Sequence, residues 1–268
     1  MQSFHKYILE DIENPFDELS KSIFFDTITY GRKGANLVDY KNNLMPLVRT
    51  TTKYNNANQK FLPVHYEIMD KIKNVTKIDN LEFNNALIEI YNYSYRDMKF
   101  HSDQALDLEE DSYICLYSCY NYSKSNSSSD SLSLKDNCDN PSTKDLRILR
   151  TKNKIIDEGK DIVLDHNSII IFSTNTNYTN LHKIILESCS NKSDEWLGIT
   201  FRKSKTFIVF NNELPYFYPK NIPLTLANED QNKEFYKYRS LENSIAGYIY
   251  PEILYTINTG DLKPILLL

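Results

Sequence analysis

The sequence predicts a mixed α+β fold, mainly β, arranged as an antiparallel sandwich or barrel with helices toward both ends. Three observations predict it. Short β-rich runs follow one another from about residue 84 to residue 210 with few helical patterns between them. Helical periodicity is concentrated before and after that stretch. With 41% hydrophobic and 25% charged residues, the 268-residue chain has a soluble globular composition and can bury a core without disulfides.

The elements follow in order. Asn14-Pro15, with Asp17 and Glu18 in the next turn, opens a short helix in NPFDELSKSIFF. MPLVRTTTKYN (45–55) reads as a strand or extended arm. PVHYEIMDKIKNV places Val64, Ile68, Met69 and Ile72 on one helical face, with His65 as a surface or core histidine and not a ligand. ALIEIYNYSY (86–95) is a β-rich, partly alternating run, SYICLYSCY (112–120) a second strand and DLRILRTK (145–152) a third. KDIVLDHNSIIIFS holds two apolar runs around a turn at Asp165-His166-Asn167-Ser168. LHKIILES is another strand, and WLGITFRKSKTFIVF one long strand. A Pro-containing connection then leads to a helix in NEDQNKEFYKYRSLENS.

Residues 121–144, rich in Ser and Asn, read as a low-complexity loop insertion because strand patterns resume after them. The organisation expected is one domain over 1–268, with its core at about 45–210 and a C-terminal extension at 212–268.

Composition narrows the function classes. A net charge of −5 gives no global attraction to nucleic acid and leaves room for a local basic groove. Cys115, Cys119, Cys138 and Cys189 form no Cys-x-x-Cys pair and none has zinc-finger spacing to a histidine; they suit packing in a reducing compartment. Glu10, Asp11 and Glu13 interrupt the N-terminal apolar residues, so no signal peptide is expected, and no apolar run reaches the length of a membrane span. The expected location is intracellular, cytoplasmic or nuclear.

The chemistry centres on FNNALIEIYNYSYRDMKFHSDQALDL. An isolated His-x-Asp is weak evidence. At a strand end, however, i and i+2 point to one side, so His101 and Asp103 can meet one ion. Non-haem Fe(II) used for oxygen chemistry takes two imidazoles and one carboxylate on one face, with the opposite positions open. His182, which opens a later strand, can supply the second imidazole. Downstream, Arg202 offers a planar fork for a carboxylate, and Ser204, two residues on, would share its side of a strand. A surface ion pair is the plainer account of Arg202. Tyr91, Tyr93 and Tyr95 recur at strand period; for Tyr93 and Tyr95 a sheet-face stripe suffices. Asn175, Asn177 and Asn180, just before His182, could reach a pocket mouth, but polar turn residues are the plainer account; QALDLEED reads as a solvated turn.

These residues resemble the AlkB branch of the Fe(II)/2-oxoglutarate dioxygenases. Phe83-Asn84, Leu87-Ile88, Tyr91 and His101-x-Asp103 fall in family order and spacing. Gly198-Ile199-Thr200-Phe201-Arg202-Lys203 is similar to the family's Asn-Leu-Thr-Phe-Arg-Lys strand, and PLVRTTTKY to its Pro-Arg-rich lid segment. The resemblance covers about 45–210. It implies a double-stranded β-helix (jelly-roll) core, and Fe(II) held by His101, Asp103 and His182. It also implies 2-oxoglutarate held by Arg202, Ser204 and Tyr91, dioxygen as oxidant, and hydroxylation or oxidative demethylation of an alkylated nucleobase or nucleic acid.

Two positions depart from the pattern. Glu89 stands where the family has a cosubstrate-binding Asn, so it is expected to turn away or do another job. Trp196 stands where the family has a second Arg, so Arg202 with Ser204 is expected to take over the anchoring. Alternative readings are a hydroxylase of a protein side chain or small molecule on the same fold, or a catalytically silent β-barrel binding module. The ligand types alone also allow another divalent metal.

Overall fold

The computed structural model describes residues 3–121, 146–189 and 192–265. It is mixed α+β, mainly β, with largely antiparallel sheets and few helices. Most of the expected insertion, and Cys138 with it, lies outside the described residues.

An eight-stranded sheet dominates. It contains β1 (His5–Ile8), β2 (Asp26–Thr29), β3 (Arg32–Val38), β5 (Gln59–Lys60), β6 (Asn85–Tyr91), β7 (Tyr113–Asn121), β10 (Ser168–Ser173) and β12 (Glu195–Arg202). The order is β1-β10-β7-β12-β6-β3-β2, with β5 pairing β3 in parallel. A three-stranded sheet joins β11 (Asn180–Ile185), β8 (Ile148–Asn153) and β9 (Asp161–Val163). A four-stranded sheet has the order β15 (Ile222–Pro223), β14 (Leu214–Tyr218), β13 (Thr206–Asn211), β4 (Met45–Leu47). A parallel pair, β16 (Thr225–Leu226) and β17 (Tyr255–Thr256), ties the C-terminal segment together.

Strand alternation divides the core. Ala86, Ile88 and Ile90 of β6, Cys115, Tyr117 and Cys119 of β7, and Leu197, Ile199 and Phe201 of β12 share one cluster. Helices α1 (Phe16–Ser22) and α2 (Pro63–Thr76) complete it with Phe16, Leu19, Val64, Ile68, Met69 and Ile72, the face that the sequence places on α2. The opposite side chains, including Tyr91, Leu116, Ile170, Phe172 and Trp196, pack with Leu149 and Ile184 of the three-stranded sheet. Both faces of the large sheet are therefore buried, which is why its strands read as nearly continuous apolar runs.

Several expected boundaries move. The 45–55 arm is a strand only over Met45–Leu47, and the 86–95 run ends as a strand at Tyr91, so Tyr93 and Tyr95 are no strand stripe. The long strand 196–210 is two, β12 and β13, in different sheets. The polar stretch before His182 is a short helix, α3 (Thr174–Thr179), capped by Ser173 accepting from the Thr176 amide at 3.1 Å. β3, RKGANLV, has no continuous apolar run; only Ala35 and Leu37 face the core cluster. Gly34 sits close to the Glu89 side chain, so a Cβ would crowd it. The C-terminal helix is α4 (Glu229–Ser244), opened by an Asn228/Gln231 capping box.

His65 is a core histidine. It is buried, and its Nδ1 accepts the Leu62 amide at 2.9 Å, capping α2. Burial pulls its pKa down to about 4, so it folds neutral. An unfolded chain takes up this proton near pH 6.5, so the stability contribution is full above 6.5 and lost as pH falls toward 4. His65→Gln keeps a capping oxygen and removes the titration. Urea denaturation from pH 7 to pH 4 should show wild type losing about 3 kcal/mol more than the variant. Parallel losses in the two proteins would refute this role for His65.

Candidate metal centre and its cavity

A cavity of about 550 Å³ opens between the large sheet and the three-stranded sheet. Its walls carry Leu87, Glu89 and Tyr91 from β6, Thr200 and Arg202 from β12, and His182 and Ile184 from β11. The loop 95–104 brings His101 and Asp103 to the same space.

His101, Asp103 and His182 come together. Their ligand atoms all lie within 4.8 Å of one another, and His182 Nε2 is 3.9 Å from Asp103 Oδ1. The backbone sets this meeting: the His101 amide donates to the His182 carbonyl at 3.0 Å, and the His182 amide donates back at 2.7 Å. His101 Nδ1 lies 2.9 Å from the Lys99 carbonyl; with the proton on Nδ1, Nε2 keeps its lone pair for an ion. Burial, then the neighbouring His182 and Arg239, push the His101 pKa down to about 3. Burial lowers that of His182. Burial opposes the Asp103 charge, but His182, Arg202, His101 and Arg239 outweigh it and hold the carboxyl below its usual range. Two neutral imidazoles and one ionised carboxylate are the protonation states that a divalent cation requires of its ligands.

Asp103 Oδ2 and His182 Nδ1 are buried without a hydrogen-bond partner. Such atoms are costly unless something completes them. The donor set fits a divalent metal of the Fe(II), Mn(II) or Zn(II) kind.

Arg202 faces the same cavity and is fully buried. Its Nη2 donates to Asn85 Oδ1 at 3.0 Å, and its Nε has no partner. Among the described residues no carboxylate is in ion-pair contact with it. Burial lowers its pKa, while Asp103 pushes back. A buried guanidinium with a neutral partner and an unused N–H has the chemistry to accept an anion.

Ser204 does not join Arg202. The chain leaves β12 at Arg202, and Ser204 sits in the corner before β13. Its hydroxyl lies 2.6 Å from the Leu47 carbonyl and accepts the Thr206 amide at 3.1 Å, away from the cavity walls. Tyr91 does reach the cavity, but its hydroxyl donates to Glu89 Oε2.

Glu89 does not turn away. It faces the cavity, and Arg32 of β3 neutralises it, with Nε donating to Oε1 at 2.7 Å and Nη2 to the same oxygen. Burial works against the Arg32 charge, but Glu89 and the nearby tyrosines outweigh it and raise its pKa. Arg32 and Tyr91 are direct cross-strand partners, so recognising β3 would have revealed the pair, but its sequence has no continuous apolar run. Trp196 lies along its own strand over Gly198, where a Cβ would overlap the indole. Its Nε1 donates to Ser118 Oγ at 2.7 Å, and it packs 4.9 Å from Tyr91. Arg147 stacks over Tyr91 and Trp196 at 5.0 and 5.8 Å, another residue that spacing did not expose.

No family model matches the chain, and no curated protein matches it. No helix among the described residues is long and apolar enough to cross a membrane.

Arg32→Ala leaves Glu89 buried and unpaired and should cost roughly 3 kcal/mol in urea denaturation. In a double-mutant cycle with Glu89→Ala, the double variant should be more stable than the sum of the singles by at least about 1 kcal/mol. Strict additivity would mean that the pair does not act as a unit.

Proposed function

We propose that the chain is an Fe(II)- and 2-oxoglutarate-dependent dioxygenase on a double-stranded β-helix core. The observation that carries the reading is the convergence, in one cavity, of a His101/Asp103/His182 cluster and the buried, underpaired Arg202. The first suits a divalent cation, the second an anionic cosubstrate, and few chemistries need both at one place.

Fe(II) with 2-oxoglutarate would supply the oxidising power that inserts oxygen from dioxygen into a C–H bond. The protein's own residues do the rest. His101 and His182 present neutral nitrogens, and Asp103 one negative charge, so the ion's two positive charges are half-neutralised. Arg202 binds a carboxylate of the cosubstrate through its free guanidinium edge. Arg32 neutralises Glu89 so that this carboxylate does not repel the incoming anion. Tyr91 holds Glu89 in place. Leu116, Leu149, Phe172 and Ile184 make the wall apolar and exclude water from the reacting carbon.

Where that carbon is an N-methyl group, the hydroxylated product collapses to formaldehyde and a demethylated amine. The substrate class proposed is an alkylated nucleobase. The net charge of −5 favours a single base or small molecule over a long polyanion.

Anaerobic addition of Fe(II) and 2-oxoglutarate should produce a metal-to-ligand charge-transfer band. His101→Ala and Asp103→Asn should abolish it. Arg202→Met should keep metal binding and weaken 2-oxoglutarate binding roughly 10- to 100-fold. No band in the wild type, or a band indifferent to His101→Ala, refutes the reading. Formaldehyde release from N-methylated nucleobases or short methylated oligonucleotides, compared with release from methylated peptides and small amines, separates the substrate classes.

A further inference from the structure

The C-terminal helix α4 buries only two of its residues, Phe235 and Glu242. One apolar anchor contributes about 2–3 kcal/mol, a weak attachment for a 16-residue helix. The second anchor is a carboxylate that is 2% exposed, which is costly unless it is paired and hydrogen-bonded. Here both oxygens are engaged. Glu242 Oε1 accepts the Ala105 amide at 2.8 Å, and Oε2 accepts from Arg239 Nη1 at 2.6 Å and from the Tyr250 hydroxyl at 2.8 Å. Arg239 Nη2 donates to the Ser102 carbonyl, and Asn243 Oδ1 accepts the Ser102 amide at 3.1 Å.

The other side of the loop is held as well. Asn177 of α3 accepts the Asp103 amide at 2.8 Å and donates to the Asp103 carbonyl at 2.7 Å. Thus the amides of Ser102, Asp103 and Ala105 and the carbonyls of Ser102 and Asp103 are all engaged by side chains. No strand ladder holds this stretch; it lies just past the isolated His101–His182 bridge. The position of the Asp103 carboxylate is therefore set by α4 and α3.

We infer that Glu242, Arg239 and Asn243 of α4, with Asn177 of α3, are positioning residues that clamp the Asp103 loop. The C-terminal segment is thereby a working part of the centre. The inference rests on the proposed metal-binding reading for its functional weight. The clamp restrains a carboxylate beside two imidazoles, so releasing it loosens the ligand set without removing a ligand. Outer partners of metal ligands typically contribute 10- to 100-fold to metal affinity.

Two readouts test it in the full chain. Amide hydrogen exchange at Ser102, Asp103 and Ala105 should accelerate roughly 10-fold or more in Glu242→Ala and Asn177→Ala, with β12 amides unchanged. Mn(II) titration should show affinity weakened roughly 10-fold in the same variants. Glu242→Gln, which retains an oxygen for the Ala105 amide, should recover part of that loss. If Glu242→Ala loses β12 protection as well, Asn177→Ala and Asn243→Ala, which each remove neutral hydrogen bonds, carry the test. Wild-type exchange and Mn(II) affinity in the folded variants would overturn the inference. A wild type that binds no Mn(II) would overturn the proposed function instead, and the exchange rates would still decide the clamp.

Discussion

The structure depends on one strand being hydrogen-bonded along both edges. β12 pairs with β7 on one side and β6 on the other over nearly its whole length. A strand so held cannot slip by a residue without turning its apolar set outward. Leu197, Ile199 and Phe201 therefore stay with the helices α1 and α2, and Thr200 and Arg202 stay on the cavity side. The buried guanidinium is a consequence of register. No local preference would put an arginine there; the cost is borne because the rest of β12 has only one way to sit.

Charge is distributed inside the cavity with the same economy. Arg32 and Glu89 cancel on the wall, and Arg239, also on the wall, is cancelled by Glu242, which does not line the cavity. Arg202 is left without a carboxylate, and the His/Asp/His group is left with one negative charge and unsatisfied atoms. Among the buried groups of the wall, what remains after pairing is one position suited to an anion beside one suited to a cation; Lys99, at the exposed edge, is also unpaired among the described residues. Arg147 takes a different route to burial, stacking on Tyr91 and Trp196 and donating to the Asn92 and Tyr95 carbonyls at 2.8 Å each.

Much of this was legible in the sequence, for reasons that differ by residue. The α2 face and the β7 and β10 strands were visible because each has a strong period or a continuous apolar run. The His101/Asp103/His182 group was legible from residue type and order, but not for the reason of strand alternation: β6 ends at Tyr91, His101 and Asp103 lie on a loop, and an isolated bridge from His101 to β11 brings His182 to them. Ser204 was misplaced because the two-residue argument assumes an unbroken strand, and the chain turns a corner between Arg202 and Thr206. Arg32 was missed because only Ala35, Leu37 and Val38 of β3 are apolar, so the segment shows no continuous apolar run of the kind that marks β7 and β10. Glu242 and Asn177 stayed hidden for a deeper reason: they act on backbone groups 137 and 74 residues away, and nothing in local spacing encodes those partners.

If the proposed centre holds an ion, the two reciprocal backbone bonds between His101 and His182 would bear on its selectivity. Side-chain ligands on separate loops can spread to accept a larger ion or close on a smaller one. Here the two histidine backbones are locked face to face, so only side-chain rotation is left to adjust the imidazole separation. At the proposed centre, an ion of the wrong radius would have to be accommodated by side-chain rotation, by the carboxylate or by opening the bridge. Discrimination among similar cations would thus be mechanical in origin, a matter of stiffness more than of ligand type.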